Sequence, residues 1–268
     1  LPNLSRLRDH GTFRPLRTTF PPISPVAWST YQTGVNPGKH NIYDFLARDL
    51  KTYLPFLSSA EITGPRRQLR IGKYSLPLGK PQIKGMRRGT PFWHWLGDAG
   101  IFCSVIRVPV TFPPEKFAGV LLSGMSVPDL KGSQGTFCLC TTRVSNGKFR
   151  EGGVRVPIER NSSKLHSYVP GPESPLGTGD ELRAPFDIRI DAAKSCAHIN
   201  TDGEKFSLKV GEYSEWVPVK FKAGLGFSAR GIARFYLKEI SPEVEVYVTP
   251  VNIDPGHPDL PISHPVTY

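Results

Sequence analysis

The sequence predicts an α/β protein in which a helix-and-strand region gives way to a long antiparallel β segment. Helix signatures stand at Ser24–Gly34 and after Thr90-Pro91, and the second leads into the apolar run Ile101-Phe102-Cys103-Ser104-Val105-Ile106. A helix followed by a buried-type strand is the order of an α/β layer. From about residue 130 helical periodicity nearly vanishes and two-residue alternation replaces it, as at Phe186, Ile188 and Ile190. The 268 residues suit one large domain or a domain with a sizeable insertion.

Taken in order, residues 2–10 read as the end of a helix with Leu4 and Leu7 on one face and Gly11 as its stop. Thr12 to Thr19 reads as a strand or extended segment ending in Phe20-Pro21-Pro22, and a helix runs from Ser24-Pro25 to Gly34. Residues 35–89 read as irregular, with only short periodic stretches near Phe45–Leu57. Thr90 is placed to cap a helix with Pro91 at its first position, closing at Gly100. Gly119–Ser123 is a further short strand. Thr201-Asp202-Gly203 is a hairpin-type turn ahead of Phe206, Leu208 and Val210, and strands follow near Trp216–Phe221, Gly231–Leu237 and Val244–Val248. The expected organisation is an α/β core over 1–129, an inserted β-rich cap over 130–248, and a return segment over 249–268.

Composition excludes several classes. No apolar run approaches the roughly 18 residues of a membrane span, and no signal-peptide pattern stands at Leu1. The net charge of +11 concentrates between Arg66 and Arg88, at Arg66, Arg67, Arg70, Lys73, Lys80, Lys84, Arg87 and Arg88. That stretch reads first as a solvated basic loop and second as an attractor of an anionic substrate. No RRM, zinc-finger or helix-turn-helix pattern accompanies it, so specific nucleic-acid recognition is not expected. Cys103, Cys138, Cys140 and Cys196 contain no CxxC and read as free thiols, which favours a reducing compartment such as the cytoplasm. Asn161-Ser162-Ser163 fits a glycosylation acceptor by chance-level pattern only.

The chemistry-bearing segment is Phe20-Pro21-Pro22-Ile23-Ser24-Pro25-Val26-Ala27-Trp28-Ser29-Thr30-Tyr31-Gln32-Thr33-Gly34, then Asn36-Pro37-Gly38-Lys39-His40. A hydroxyl at a helix N-terminus lies beside unpaired N–H groups and the positive dipole end, which suits a phosphate. Most serines so placed only cap a helix. Ser24, Thr33-Gly34, Pro37 and His40 together resemble the nucleophile region of the alkaline phosphatase superfamily. The likeness is to a branch of predicted phosphohydrolases or phosphomutases related to the type I phosphodiesterases and nucleotide pyrophosphatases. It continues at Tyr43-Asp44-Phe45, Gly89–Trp93, Val108–Pro114, Val127–Leu130 and Pro250–Pro255.

The resemblance implies an alkaline-phosphatase-like α/β core, present here in part, and a metal-dependent phosphohydrolase acting on a phosphate ester. It implies Ser24 as nucleophile and metal ligand, a phosphoseryl intermediate, and two divalent ions, zinc in most relatives. In that superfamily an Asp precedes the nucleophile and further Asp and His ligands follow the Asn-Ile-Asp-Pro region, so the remaining ligands are expected outside this chain. Two positions depart from the pattern. Ala27 stands where nucleotide pyrophosphatases place an Asn, and Asn41 where the branch has Gly.

Arg48 and Arg107 read first as surface or ion-pairing residues and second as phosphate contacts, because a guanidinium fork matches phosphate oxygens. His40 is expected to hydrogen-bond the loop backbone, and His94 to be structural. Asp254-Pro255-Gly256-His257-Pro258-Asp259 offers metal-ligating groups on a Pro-rich loop that does not fix their geometry. The alternative is non-enzymatic: a β-rich module docking an anionic polymer through 66–88, with Tyr213, Trp216 and Phe221 as stacking platforms.

Overall fold

A computed structural model describes every residue except 66, 73, 80, 126, 134, 144–151, 162–163, 259 and 267–268, and residue 161 by its backbone alone. Pro2 opens α1 (Pro2–His10), whose residues are all exposed, Leu4 and Leu7 included. Gly11 leaves the helix in an extended conformation, and Thr12–Thr19 forms no strand.

The next helix is α2 (Ser24–Thr33). Its cap is Ile23, in the β region, so Ser24 is the first helical residue and not the N-cap that the Ser-Pro pair suggested. Gly34 ends α2 in the left-handed conformation (φ 67°), where its N–H reaches Thr30 O. A residue with a Cβ is strained at that φ. A single turn, α3 (Pro37–His40), follows.

Residues 35–89 are more regular than the sequence suggested. β1 (Leu46–Arg48) pairs with β2 (Pro55–Leu57). β3 (Ala60–Thr63), β4 (Arg67–Ile71), β5 (Tyr74–Leu78) and β6 (Gln82–Gly85) form a nested ribbon, β3 on β6 and β4 on β5. These strands are short and face solvent, and β4 is exposed at all five positions. Without a buried face there is no apolar alternation to read. Near the ribbon's far end, Ser75 N–H donates to Leu176 O at 2.8 Å.

α4 (Phe92–Asp98) is capped by Pro91, one residue later than the expected Thr90 cap. It packs on β7 (Cys103–Val108) and β8 (Gly119–Ser123), a parallel pair, through Trp93, Val105 and Leu121. Only Val105 of β7 is buried; Ile106, on the opposite face, is 58% exposed, and among the described residues β7 pairs with β8 alone. The expectation of a fully buried strand fails on that face.

β9 (Cys138–Thr141), β10 (Val154–Pro157), β11 (Glu159–Asn161), β12 (Lys164–Glu173), β13 (Glu181–Asp191), β14 (Cys196–Thr201), β15 (Lys205–Lys209), β16 (Val217–Gly224), β17 (Phe227–Ala233), β18 (Phe235–Glu239) and β19 (Glu245–Val248) follow with no α-helix among the described residues. β11 to β15 form an antiparallel meander, and the Asp202-Gly203 turn joins β14 to β15 as expected. A second sheet runs β10-β9-β19-β18, antiparallel apart from the parallel β9–β10 pair.

One core joins these sheets. Ile188 and Ile199 of the meander meet Phe221, Phe235, Leu237 and Val246, and Phe186 sits edge-on to Phe235. Each such side chain gains about 1.5–3 kcal/mol by leaving water. Cys138 and Cys140, two apart on β9, lie on the same buried face; hydrogen bonding to Cys140 and then burial hold the Cys138 thiol well above the usual range. No cysteine is in a disulfide.

Beyond β19 the chain adds β20 (Asn252–Ile253) to β17, then β21 (Ser263–His264) to β8. The β-rich region is clasped at its ends, where Leu130 N–H donates to Val251 O at 2.7 Å. Among the described residues no helix is long and apolar enough to cross a membrane.

Candidate active site around Ser24

Ser24 is exposed at the start of α2. Its Oγ and its N–H have no hydrogen-bond partner among the described residues. Pro25 has no N–H, and the amides of Val26 and Ala27 both donate to Ile23 O, at 3.1 and 3.0 Å. The first turn therefore offers an incoming phosphate one free amide, Ser24's own, beside the hydroxyl and the positive end of the dipole.

The residues after Ser24 brace this helix. Ser29 Oγ donates to Pro25 O and Thr33 Oγ1 to Ser29 O, both within the helix. His40 is 0% exposed. Its Nδ1 accepts from Ile42 N–H at 3.2 Å, so Nε2 carries the proton and donates to Thr30 Oγ1 at 2.9 Å. Burial, then the nearby Arg87 charge, lower its pKa and keep the ring neutral. His40 thus bonds the loop backbone, as the sequence suggested, and also a side chain of α2. Gln32 Nε2 donates to Pro109 O, and the rings of Trp28, Tyr31, Phe92 and Trp93 form an edge-to-face ladder from α2 to α4.

Arg87 does not belong to a solvated loop. Its side chain is 5% exposed and paired with Glu115, whose other oxygen lies 3.1 Å from His94 Nε2. Glu115 carried no signal in the sequence, because the partners that give it meaning come from distant segments. Arg67 and Arg70 are exposed on the ribbon; residues 66, 73 and 80 lie outside the described residues.

Arg48 is exposed, with its guanidinium carbon 5.4 Å from the centre of the Tyr53 ring. It borders an apolar cleft of about 750 Å³ with Leu54, Phe56, Met86 and Phe112. Arg107, in the left-handed region (φ 54°), lines a cavity of about 400 Å³ with Gly124, Trp216, Ile232 and Pro255. Ser24 lines neither space. Asp254 and His257 face each other at 3.3 Å within one turn, in which Gly256 N–H also donates to Asp254; residue 259 lies outside the described residues. The Ser162-Ser163 part of the glycosylation pattern does too. Of the aromatic trio, Phe221 is 0% exposed while Trp216 and Tyr213 are exposed, so the three share no stacking face.

The fold and this site define an α/β protein that presents a braced serine on a helix N-terminus. The family model for type I phosphodiesterase / nucleotide pyrophosphatase matches residues 1–141, and the chain belongs to that family. Its members are phosphoric ester hydrolases, typically metal-dependent, and belong to the branch that the nucleophile motif resembles. The matched residues hold Ser24, Arg48, Arg107 and the His40 brace; the Pro250–Pro255 likeness lies beyond them. No curated protein and no solved structure gives a match.

Among the described residues, one group of three or more metal-ligating side chains converges, Asp191, Cys196 and His198, and it does not include Ser24. A lone serine hydroxyl does not fit a two-ion centre, which needs several carboxylates and imidazoles together.

Proposed function

We propose that this chain carries the nucleophile of a phosphoric ester hydrolase, with Ser24 Oγ as the attacking atom. Attack forms the Ser24 Oγ–P bond and breaks the ester P–O bond; the serine proton passes to the departing oxygen, which leaves as the alcohol. Water then cleaves the phosphoseryl ester, returning the serine proton and releasing phosphate or a phosphomonoester. The supporting observation is the position of Ser24 within the family match: exposed, its Oγ and N–H free, on a helix fixed by His40 and Thr30.

In this reading two divalent ions, zinc by family likeness, are held largely by residues outside this sequence, and Ser24 is their one ligand here. Arg48 and Arg107 contact phosphate oxygens. Ala27, an apolar residue one turn into α2, leaves no side-chain donor where nucleotide pyrophosphatases have one, which favours a phosphomonoester or simple phosphodiester over a nucleotide pyrophosphate.

Residues 1–129 form a partial core, 130–248 an inserted cap and 249–268 the return to the core. Three observations support this division: the family match stops at 141, Leu130 and Val251 clasp the β region's ends, and β21 rejoins β8.

The test is hydrolysis of an aryl phosphodiester and an aryl phosphate by the full protein. Ser24→Ala abolishes turnover with the circular-dichroism spectrum unchanged, and Ser24→Thr keeps part of it. Undiminished hydrolysis by Ser24→Ala sinks the nucleophile assignment.

A further inference from the structure

Cross-strand register brings three unlike ligand atoms to one spot on the β region, far in sequence from Ser24. Asp191 ends β13 and stands directly opposite Cys196, which begins β14. Cys196 and His198 are two residues apart on one strand and so share a face. Residues directly opposite in an antiparallel pair also share a face. The ligand atoms of Asp191, Cys196 and His198 accordingly lie within 4.8 Å of one another.

The supports of these side chains are part of the fold. Asp191 caps the short 3₁₀ turn Ala192–Lys194 by accepting from Lys194 N–H at 3.2 Å, and Ser195 completes the turn in the left-handed region. His198 Nδ1 is 2.7 Å from Ser207 Oγ on β15, the kind of outer contact that orients an imidazole for an ion. Cys196 is buried, and its thiol is in no disulfide. The inward positions of β14 are Ala197 and Ile199, both in the core, so the trio lies on the opposite face.

We propose that Asp191, Cys196 and His198, brought together by the β13–β14 register, form a three-ligand site for a zinc-class divalent cation. One sulfur, one imidazole nitrogen and one carboxylate oxygen select zinc over magnesium or calcium, which take all-oxygen shells. Thiolate and carboxylate together neutralise a dication. This matters because Arg189 and Lys209, opposite His198 and Cys196, and Lys194, 3.6 Å from Asp191 Oδ2, already make the surroundings positive. On binding, the Cys196 thiol gives its proton to solvent, the sulfur and the two other atoms each donate an electron pair, and water fills the fourth position. The site does not depend on the hydrolase reading.

The test uses the whole chain, stripped with chelator and titrated with zinc by calorimetry in two buffers of different ionisation enthalpy, and with cobalt by absorption. The expected result is one equivalent bound, a proton released, and a sulfur-to-cobalt charge-transfer band. Cys196→Ser removes the band, and His198→Gln weakens zinc at least about tenfold; Ser24→Ala leaves both unchanged. His198 is half-buried, so its substitution tests the site even if Cys196→Ser fails to fold. Absence of stoichiometric zinc binding by the intact chain, or binding unaltered in His198→Gln, overturns the proposal.

Discussion

His40 and Thr30 are joined by a 2.9 Å hydrogen bond that ties the end of α3 to α2. With His40 Nδ1 accepting from Ile42 N–H, this geometry requires a neutral ring. Its folded pKa lies below the ordinary 6.5, so between those values the unfolded chain binds the extra proton. The stabilisation is then complete above about pH 6.5 and is lost as pH falls through and below it. Denaturant titrations at pH 7.5 and 5.5 should show this loss. His40→Gln should be less stable at pH 7.5 but should show a shallower pH dependence over the same window.

Glu115 neutralises the nearly buried Arg87, so Glu115→Gln should destabilise the α/β region by about 2 kcal/mol or more, as expected when a buried charge loses its partner. Adding Arg87→Met to Glu115→Gln should recover part of that loss. Chemical denaturation of the two variants checks the sign. A double variant no more stable than Glu115→Gln would show that packing, and not charge, dominates there.

Gly231 marks the place where β20 lies against β17. A Cβ there would sit 2.5 Å from Val251 Cγ1 and 2.6 Å from Asn252 O. Gly231→Ala should therefore cost roughly 1–3 kcal/mol and push the 251–253 segment outward, seen as faster amide exchange at Ile253, whose strand pairs with Gly231.

The open edge of β7 predicts how these residues behave by themselves. A parallel pair is ordinarily covered on both faces, yet Ile106 and Phe102 are exposed beside an edge that is unpaired among the described residues. This sequence expressed alone should self-associate, Ile106→Lys should reduce that in light scattering, and no chelator-sensitive phosphatase activity should accompany it. Turnover by these residues alone would mean that the metal ligands of the Ser24 site lie among them.

The long, half-buried elements were legible because burial leaves a period in the sequence. Phe186 and Ile188 alternate into the core, whereas α2 was read from its boundaries, Ser24-Pro25 at the start and Gly34 at the stop. The ribbon over 60–85 was not legible, since its strands are short and none of their described residues is buried, so they carry little contrast. Ser24 and His40 could be singled out because their neighbours in sequence are also their neighbours in space. Arg87 could not be read correctly without Glu115. Asp191, Cys196 and His198 needed the strand register, which fixes which residues lie opposite and is decided by pairing across the turn.

The 2.7 Å bond from Leu130 N–H to Val251 O has a consequence for how the chain closes on itself. β21 must find β8 across more than half the sequence, and the entropy of closing a loop grows with its length. Once the β region has folded, that separation shrinks to the short spans on either side of the clasp. Folding order then follows: the region between the clasped residues sets first, and the β8–β21 pairing becomes a local event. By the same reasoning, a brief turn joining residue 130 to residue 251 in place of everything between would preserve the route to that pairing, making the β region a graftable part.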